Sequence, residues 1–384
     1  MGKRIYMDFA AATPLDPWVA RAMHKAEGTY GNPSAPHQEG RAARALIEGA
    51  RTTIARCLGV KSDELIFTAS GTESNNLAIH GVMEARVKGG TDPARIHIIT
   101  SSFEHPSLGE AVQYWVKRGA SVSLVSPDNN GIIQPESVVA LVHPETVLVS
   151  IVAVQSEIGA IQPLADIARA VKAINHKIIF HTDACQNPLY LDLSPHRLGV
   201  DLATYDAQKL MGPKGVGLLW RKLPIPIEGL MRGGKQERGI RPGTENTVGI
   251  VGMAKAFELA GVDRSERSTR VEGVRDYFIE LLKKELPQVE LNGGARRRIA
   301  NNINISVPGA DGDYLAVLMD VRGVAVSPRS ACIASGAPSV AVTSLGKDNV
   351  CATGTLRFTL EPTVTRADAK RAVSALKDAL KVIS

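Results

Sequence analysis

The sequence predicts an α/β protein: a large domain with a mainly parallel, mixed sheet sandwiched by helices, followed by a smaller α/β domain. Three observations carry that expectation. Short β-branched runs alternate with helical patterns, several runs are apolar throughout, and the pattern changes after about Gly261. With 384 residues, 44% hydrophobic and 22% charged, the chain is long enough for two domains with proper cores.

The strand-like runs are ELIFTA (Glu64 to Ala69), RIHIITS (Arg95 to Ser101), SVSLVS (Ser121 to Ser126), TVLVSIVAV (Thr146 to Val154), KIIFHTDA (Lys177 to Ala184) and DLATYDA (Asp201 to Ala207). Runs such as VLVSIVAV suit strands covered on both faces. Between the fourth and fifth runs, Leu164, Ile167, Ala168, Val171 and Ile174 recur at helical spacing, so a crossover helix presents one apolar stripe. Beyond Gly261 come a charged helix near Arg264 to Glu285, short strands around NNINISV and TLRFTL, and a closing helix carrying Val373, Leu376, Leu380 and Ile383. The expected division is a large domain over 15–260 and a small domain from 1–14 and 261–384, the latter carrying a loop at about 325–345.

The formal charge of +6 is modest, and Lys and Arg are mostly interleaved with acids. The densest basic cluster, GARRRIA (Gly294 to Ala300), has no stacking aromatics and reads as a solvated turn, so no direct nucleic-acid partner is expected. MGKRIYMDFAAATP has no apolar h-region and no run of 18 apolar residues occurs, so a cytoplasmic protein without a membrane span is expected. Cys57, Cys185, Cys332 and Cys351 lack zinc-site or CxxC spacing, so neither a metal site nor a disulfide is expected. Cys185 and Cys351 read as packed thiols.

Five motifs could carry chemistry. In FTASGTESNN a strand ends in Ser-Gly-Thr before a helix, and Gly71, the following N–H groups and the Thr72 hydroxyl could form an anion site; an ordinary N-cap explains them equally well. FHTDACQN places Asp183 near the carboxyl end of a strand, where open α/β sheets bind ligands, as the partner of a protonated ring nitrogen or as a turn residue. YDAQKLMGPKGVG places Lys209 after a strand, where partial burial beside a cationic cofactor would free its amine. In SSFEHPSL, His105 could stack on a flat cofactor, shuttle protons or be structural. In SPRSACIASGAPS, Cys332 has only small neighbours, which would leave a thiol accessible on a movable loop, although most free cysteines are buried and inert.

Taken in order, NPSAPH, SGTESNNLAIHG, FEHPSL, SEIGAIQPL, HTDACQ, QKLMGPKGVG, ERGIRPGTEN and SACIASG closely resemble the cysteine desulfurases of the NifS/IscS type, over nearly the whole chain. The resemblance implies fold type I of the pyridoxal-phosphate enzymes, class V aminotransferase family, with pyridoxal 5′-phosphate as cofactor and a homodimer with active sites at the subunit interface. It implies that Lys209 forms the Schiff base, Asp183 pairs with the ring nitrogen, Gln186 contacts the ring hydroxyl and His105 stacks on the ring. Gly71 and Thr72 would bind the phosphate beside Asp206 and Gln208, and Thr244 would reach the phosphate of the neighbouring subunit. Arg357 would grip the substrate carboxylate, with Ser156 and Asn32 on the substrate side, and Cys332 would take the sulfur. L-Cysteine would thus become L-alanine with a persulfide on Cys332, handed to an iron–sulfur scaffold or a tRNA-thiolation protein.

Two departures from the family pattern stand out. The usual Ser-x-His-Lys is Asp206-Ala207-Gln208-Lys209 here, and a carboxylate beside a phosphate dianion is repulsive unless a cation intervenes or the acid turns away. The usual NNE(I/V)G is Gln155-Ser156-Glu157-Ile158-Gly159, so Ser156 replaces an asparagine. The alternatives are a selenocysteine lyase or small-amino-acid aminotransferase of the same fold, in which Cys332 would be dispensable, and a non-catalytic or regulatory homologue.

Overall fold

The computed structural model describes residues 4–186, 188–192, 194–329 and 336–383. Its strands are β1 (Ile5–Tyr6), β2 (Leu65–Thr68), β3 (His97–Ser101), β4 (Ser121–Val125), β5 (Thr146–Ser150), β6 (Ile179–Asp183), β7 (Leu202–Asp206), β8 (Gly217–Arg221), β9 (Glu290–Leu291), β10 (Asn302–Ser306), β11 (Val324–Ala325) and β12 (Thr355–Thr359). The longer helices are α1 (Pro17–Glu27), α2 (Gln38–Leu58), α3 (Gly71–Lys88), α4 (Pro106–Lys117), α5 (Leu164–Ile174), α6 (Thr247–Gly261), α7 (Arg264–Glu285), α8 (Gly312–Val321) and α9 (Arg366–Ile383).

Seven strands form the main sheet in the order β2-β8-β7-β6-β5-β3-β4. Pairing is parallel from β7 through β4, and β8 runs antiparallel to both of its neighbours. Successive residues along each strand point to opposite faces, and both faces are buried except on the edge strand β4, where Leu124 is 55% exposed. Ile66, Ile98, Leu148, Ile179, Leu202 and Leu219 pack on α3 and α4, whereas Phe67, Ile99, Val149, Phe180, Ala203 and Leu218 face α2, α5 and α6. This two-sided covering explains the uninterrupted apolar runs.

A second, three-stranded antiparallel sheet has the order β12-β10-β9. The N-terminal strand β1 pairs in parallel with β11, and Asp8 bridges to Thr359, so the start of the chain lies against its C-terminal third. No helix among the described residues is long and apolar enough to cross a membrane.

Several expectations are corrected. The GPKGVG segment, which the sequence suggests is a turn, ends in the first residue of β8, a strand not expected from the sequence, whose Leu218, Leu219 and Trp220 are fully buried because it is wedged between β2 and β7. The VLVSIVAV strand stops at Ser150, and residues 151–154 continue as buried loop. Ile174 lies off the buried stripe of α5 at 52% exposure. In GARRRIA, Arg296 and Arg297 are exposed as expected, but Arg298 is buried and donates to the carbonyls of Asn292 and Gly294 and to Asn302 Oδ1. Cys351, read as core, is only partly buried at the start of a short helix.

Candidate active site

A cavity of about 190 Å³ opens at the carboxyl ends of β2, β3, β5, β6 and β7, the edge where open α/β sheets present ligand-binding groups. Each parallel strand ends there and hands its side chains to a loop, so residues far apart in sequence converge.

Asp183 is the last residue of β6 and is 7% exposed. Its Oδ1 accepts the Cys185 backbone N–H at 2.9 Å, and its Oδ2 accepts from Asn75 Nδ2 at 2.8 Å. Asn75, on the first turns of α3, also donates to Ser107 Oγ at 3.0 Å. Ser107 closes the chain on His105: its N–H reaches His105 Nδ1 at 3.2 Å and its Oγ lies 2.7 Å from the same nitrogen. Because the backbone N–H can only donate, Nδ1 is an acceptor and the neutral ring carries its proton on Nε2. Burial holds the His105 imidazolium below its usual range, against the opposing pull of Asp183. Asn75 and Ser107 were not singled out from the sequence, although both sit inside motifs that were.

Lys209 follows β7 through a short 3₁₀ turn, Ala207–Lys209. Its Nζ donates to the carbonyls of Ala10 and Ala11 at 2.5 and 2.6 Å, and burial lowers its pKa, with Asp206 pulling the other way. Gln186 Nε2 donates to the Ala10 carbonyl at 3.0 Å. The N-terminal segment is therefore a wall of the site, which local motif reading gave no reason to expect. Arg357, on β12, reaches the cavity from the second sheet. It is 2% exposed, pairs with Asp8 at 2.9 Å and donates to the Ser156 carbonyl at 3.1 Å, leaving its buried Nε without a partner among the described residues.

Gly71 and Thr72 open α3 and line the cavity. The Gly71 N–H donates to Asp206 Oδ2 at 3.0 Å, which also accepts from Gln208 Nε2 at 3.2 Å, while Asp206 Oδ1 accepts the Gln208 N–H at 3.1 Å. Asp206 is 6% exposed. The approach is close: a Cβ on residue 71 would lie 2.8 Å from Cys185 Sγ and 3.3 Å from the Asp206 carboxylate. Burial, with Asp183 and Asp206 adding to it, pushes the Cys185 thiol well above its ordinary pKa, so this cysteine packs and does not react.

Two expected residues stand elsewhere. Thr244 lines a separate cavity of about 170 Å³ beneath the start of α3, near the ion pair of Arg241 with Glu73. Asn32 lies in the loop between α1 and α2, where its Oδ1 accepts the Ser34 N–H at 2.9 Å. Cys332 lies outside the described residues. The chain on either side of it is joined to one carboxylate, since Arg329 Nη2 and the Gly336 N–H each lie 2.7 Å from Asp313 Oδ2.

A family profile for class-V aminotransferases matches residues 5–372. The chain belongs to that family. Its enzymes depend on pyridoxal phosphate, and the fold is theirs. The chain is 39% identical over 379 residues to the cysteine desulfurase IscS of Dictyoglomus turgidum, covering 98% of this chain and 94% of that one. It is 36% identical over 362 residues to the IscS of Azotobacter vinelandii, covering 92% and 87%. Among solved structures it is similar to a NifS-like protein, with a TM-score of 0.91, 32% identity and coverage of 99% and 100%. It is also similar to SspA in complex with cysteine, with a TM-score of 0.79, 30% identity and coverage of 94% and 100%.

The residues present fit pyridoxal phosphate at the ring end. A buried carboxylate, an amine eased toward neutrality and an imidazole held at Nδ1 by Ser107 line one cavity. At the other end backbone donors that suit a phosphate are present, and two of them, the Gly71 and Gln208 N–H groups, are given to Asp206.

Proposed function

We propose that the chain is a cysteine desulfurase that converts L-cysteine to L-alanine and passes the sulfur to Cys332. The observation that carries this reading is the convergence of Lys209, Asp183, His105 and Arg357 on one cavity in a chain 39% identical to a cysteine desulfurase. The step balances: the carbon–sulfur bond of cysteine breaks, a sulfur–sulfur bond forms on Cys332, and the thiol protons are redistributed between alanine and the persulfide. These relatives do not favour a selenocysteine lyase, an aminotransferase or a non-catalytic homologue.

Bound pyridoxal phosphate supplies an electron sink at the substrate's α-carbon. Lys209 offers the amine that attaches the cofactor and then moves a proton at its Nζ, a task its lowered pKa favours. Asp183 holds the ring nitrogen's proton, oriented by Asn75 and the Cys185 N–H. His105 presents Nε2–H toward the cavity, and Arg357 offers its unpaired Nε edge to the substrate carboxylate. Asp8 and the Ser156 carbonyl fix the guanidinium plane for that contact.

The finer reading is a cytoplasmic homodimer that delivers sulfur to an iron–sulfur scaffold or a tRNA-thiolation protein. Thr244 and Asn32, outside this chain's own cavity, are then the residues offered across the subunit interface. The domain division is 15–260 against 1–14 with 261–384, and Cys332 is carried by the smaller part.

The test is incubation with L-cysteine, with and without added pyridoxal phosphate, following alanine, sulfide and protein-bound persulfide. Alanine should appear in step with sulfur, Lys209→Ala should lose both products and the cofactor's visible band, and Cys332→Ala should lose the persulfide and turnover. Sustained cysteine turnover by Cys332→Ala, or a cofactor band that survives Lys209→Ala, overturns the reading.

A further inference from the structure

We propose that Asp206 is a built-in occupant of the phosphate cup, a carboxylate that competes with the cofactor's phosphate for the same donors and sets how tightly the cofactor is held. The inference rests on the function proposed above. It goes further by assigning a role to one residue of this chain.

Three facts support it. First, the N-terminus of the 18-residue helix α3 faces the cavity, and its first N–H is the kind of donor that binds a phosphate oxygen. That N–H is already given to Asp206 Oδ2 at 3.0 Å, although Gly71 and Asp206 lie 135 residues apart. Second, the two donors of Gln208 that face this end, its backbone N–H and its Nε2, are also given to Asp206, at 3.1 and 3.2 Å. Third, the carboxylate is only 6% exposed and is hemmed in by Gly71 and Cys185, so little water screens it from an incoming anion.

Burial is what makes the competition matter. An exposed aspartate would turn into solvent and leave the cup to the phosphate, whereas this one must give up three hydrogen bonds to do so. If it stays, a dianion meets a like charge at contact distance, where such pairs strongly disfavour each other. Lys209, which shares the cavity and feels the Asp206 charge, does not relieve this, because its amine is the group that attaches the cofactor. The ring end is untouched by these bonds, so the penalty falls on the phosphate and not on the pyridoxal ring.

The Asp206 side chain also caps the turn leading to Lys209 through the Gln208 N–H. Serine and asparagine keep a cap of this kind. Asp206→Ser and Asp206→Asn therefore remove the charge and free the Gly71 N–H while preserving the local turn.

The experiment is titration of the cofactor-free full chain with pyridoxal phosphate, and separately with unphosphorylated pyridoxal, reading the visible absorbance of the lysine-linked cofactor and the thermal transition. Asp206→Ser should tighten pyridoxal phosphate by about tenfold or more, equivalent to about 1.4 kcal/mol. Pyridoxal itself should shift by less than about threefold, or about 0.7 kcal/mol. Asp206→Asn should shift in the same direction, and it decides the matter alone should the serine variant lose its cooperative thermal transition. Unchanged or weaker binding of pyridoxal phosphate in the folded variants overturns the proposal. So does equal tightening of both ligands, which would make Asp206 a general charge in the cavity and not an occupant of the cup. Failure of the wild type and of both variants to bind pyridoxal phosphate at all overturns this inference together with the proposed function, whereas binding with no effect of Asp206 overturns this inference alone.

Discussion

At one end of the cavity Asp183 closes β6, and at the other Asp206 closes β7, and the two aspartates are held alike. Each accepts the backbone N–H two residues on, Cys185 for one and Gln208 for the other. Each gives its second oxygen to the start of α3, Asp183 to the Asn75 amide and Asp206 to the Gly71 N–H. The difference lies in what is meant to arrive. In the function proposed above, a ring N–H would carry positive charge toward Asp183, whose buried carboxylate would match it, whereas a phosphate would bring negative charge toward Asp206, where the same construction would be an obstacle. A similar pattern of hydrogen bonds thus takes opposite meaning from the charge of the partner.

The comparison can be broken most sharply at Asp183. Asp183→Asn keeps the shape but cannot accept from both the Cys185 N–H and the Asn75 amide, and it removes the charge that sustains a protonated ring. Turnover should fall on the order of 10²–10³-fold, with pyridoxal phosphate affinity changed far less. Steady-state kinetics beside a cofactor titration decide it. A gain in affinity like that expected for Asp206→Ser would mean that the two ends do not differ.

A smaller effect should follow from Asn75→Ala, which leaves Asp183 Oδ2 without its side-chain donor and unlinks Ser107 and His105 from the aspartate. A loss of about 1–2 kcal/mol in transition-state stabilisation, or about tenfold in kcat, is expected. Equal losses for Asn75→Ala and Asp183→Asn would show that the amide, and not the carboxylate, does the chemistry.

The smallest effect on turnover, with a distinct pH signature, belongs to Glu104. The residue is partly buried, accepts from the Val152 N–H at 2.9 Å and from Ser101 Oγ, and has an enclosed Oε2 with no partner among the described residues. Burial raises its pKa from 4.5 to about 8. The folded state then binds more protons than the unfolded state between these values, so this group's contribution to stability is full below pH 4.5 and is lost as pH rises through 8. Glu104→Gln should flatten that dependence, gaining stability on the order of a few kcal/mol at pH 9 relative to its effect at pH 5. Thermal unfolding at the two pH values measures it, and an equal shift at both would show that Glu104 is ionised when folded. His181, at about 4 through burial, acts in the opposite sense. It costs stability as pH falls from 6.5 to about 4 in wild type and variant alike, so it cancels in the comparison.

Much of this site was legible in the sequence because its residues lie at strand ends, where a β-branched run gives way to small and polar residues. Asp183, Lys209, His105, Gly71 and Thr72 were all found that way, and the structure brings them to one cavity. Ala10 and Ala11 were not, since an alanine shows no chemistry in a sequence and these two act through their carbonyls. Asn75 and Ser107 were hidden for another reason: Asn75 reaches Ser107 across 32 residues of chain and Asp183 across 108. The strand Gly217–Arg221 was missed because the glycines and proline just before it, Gly212, Pro213 and Gly215, signal a turn, and only its place between β2 and β7 makes an apolar triplet a buried strand.

The sequence by itself determined the alternation of strands and helices, the order of the motifs and the chemistry of each side chain. These follow from local periodicity and residue type, which act within a few residues. It also showed that an aspartate stands where a serine is usual. Only the tertiary structure decided which way that aspartate points. The outcome depends on the register of β7 beside β6 and on the start of α3 reaching the same edge, and together these put the Gly71 N–H within hydrogen-bond distance of a carboxylate 135 residues away. A buried N–H must find an acceptor, and in this fold the nearest one is Asp206.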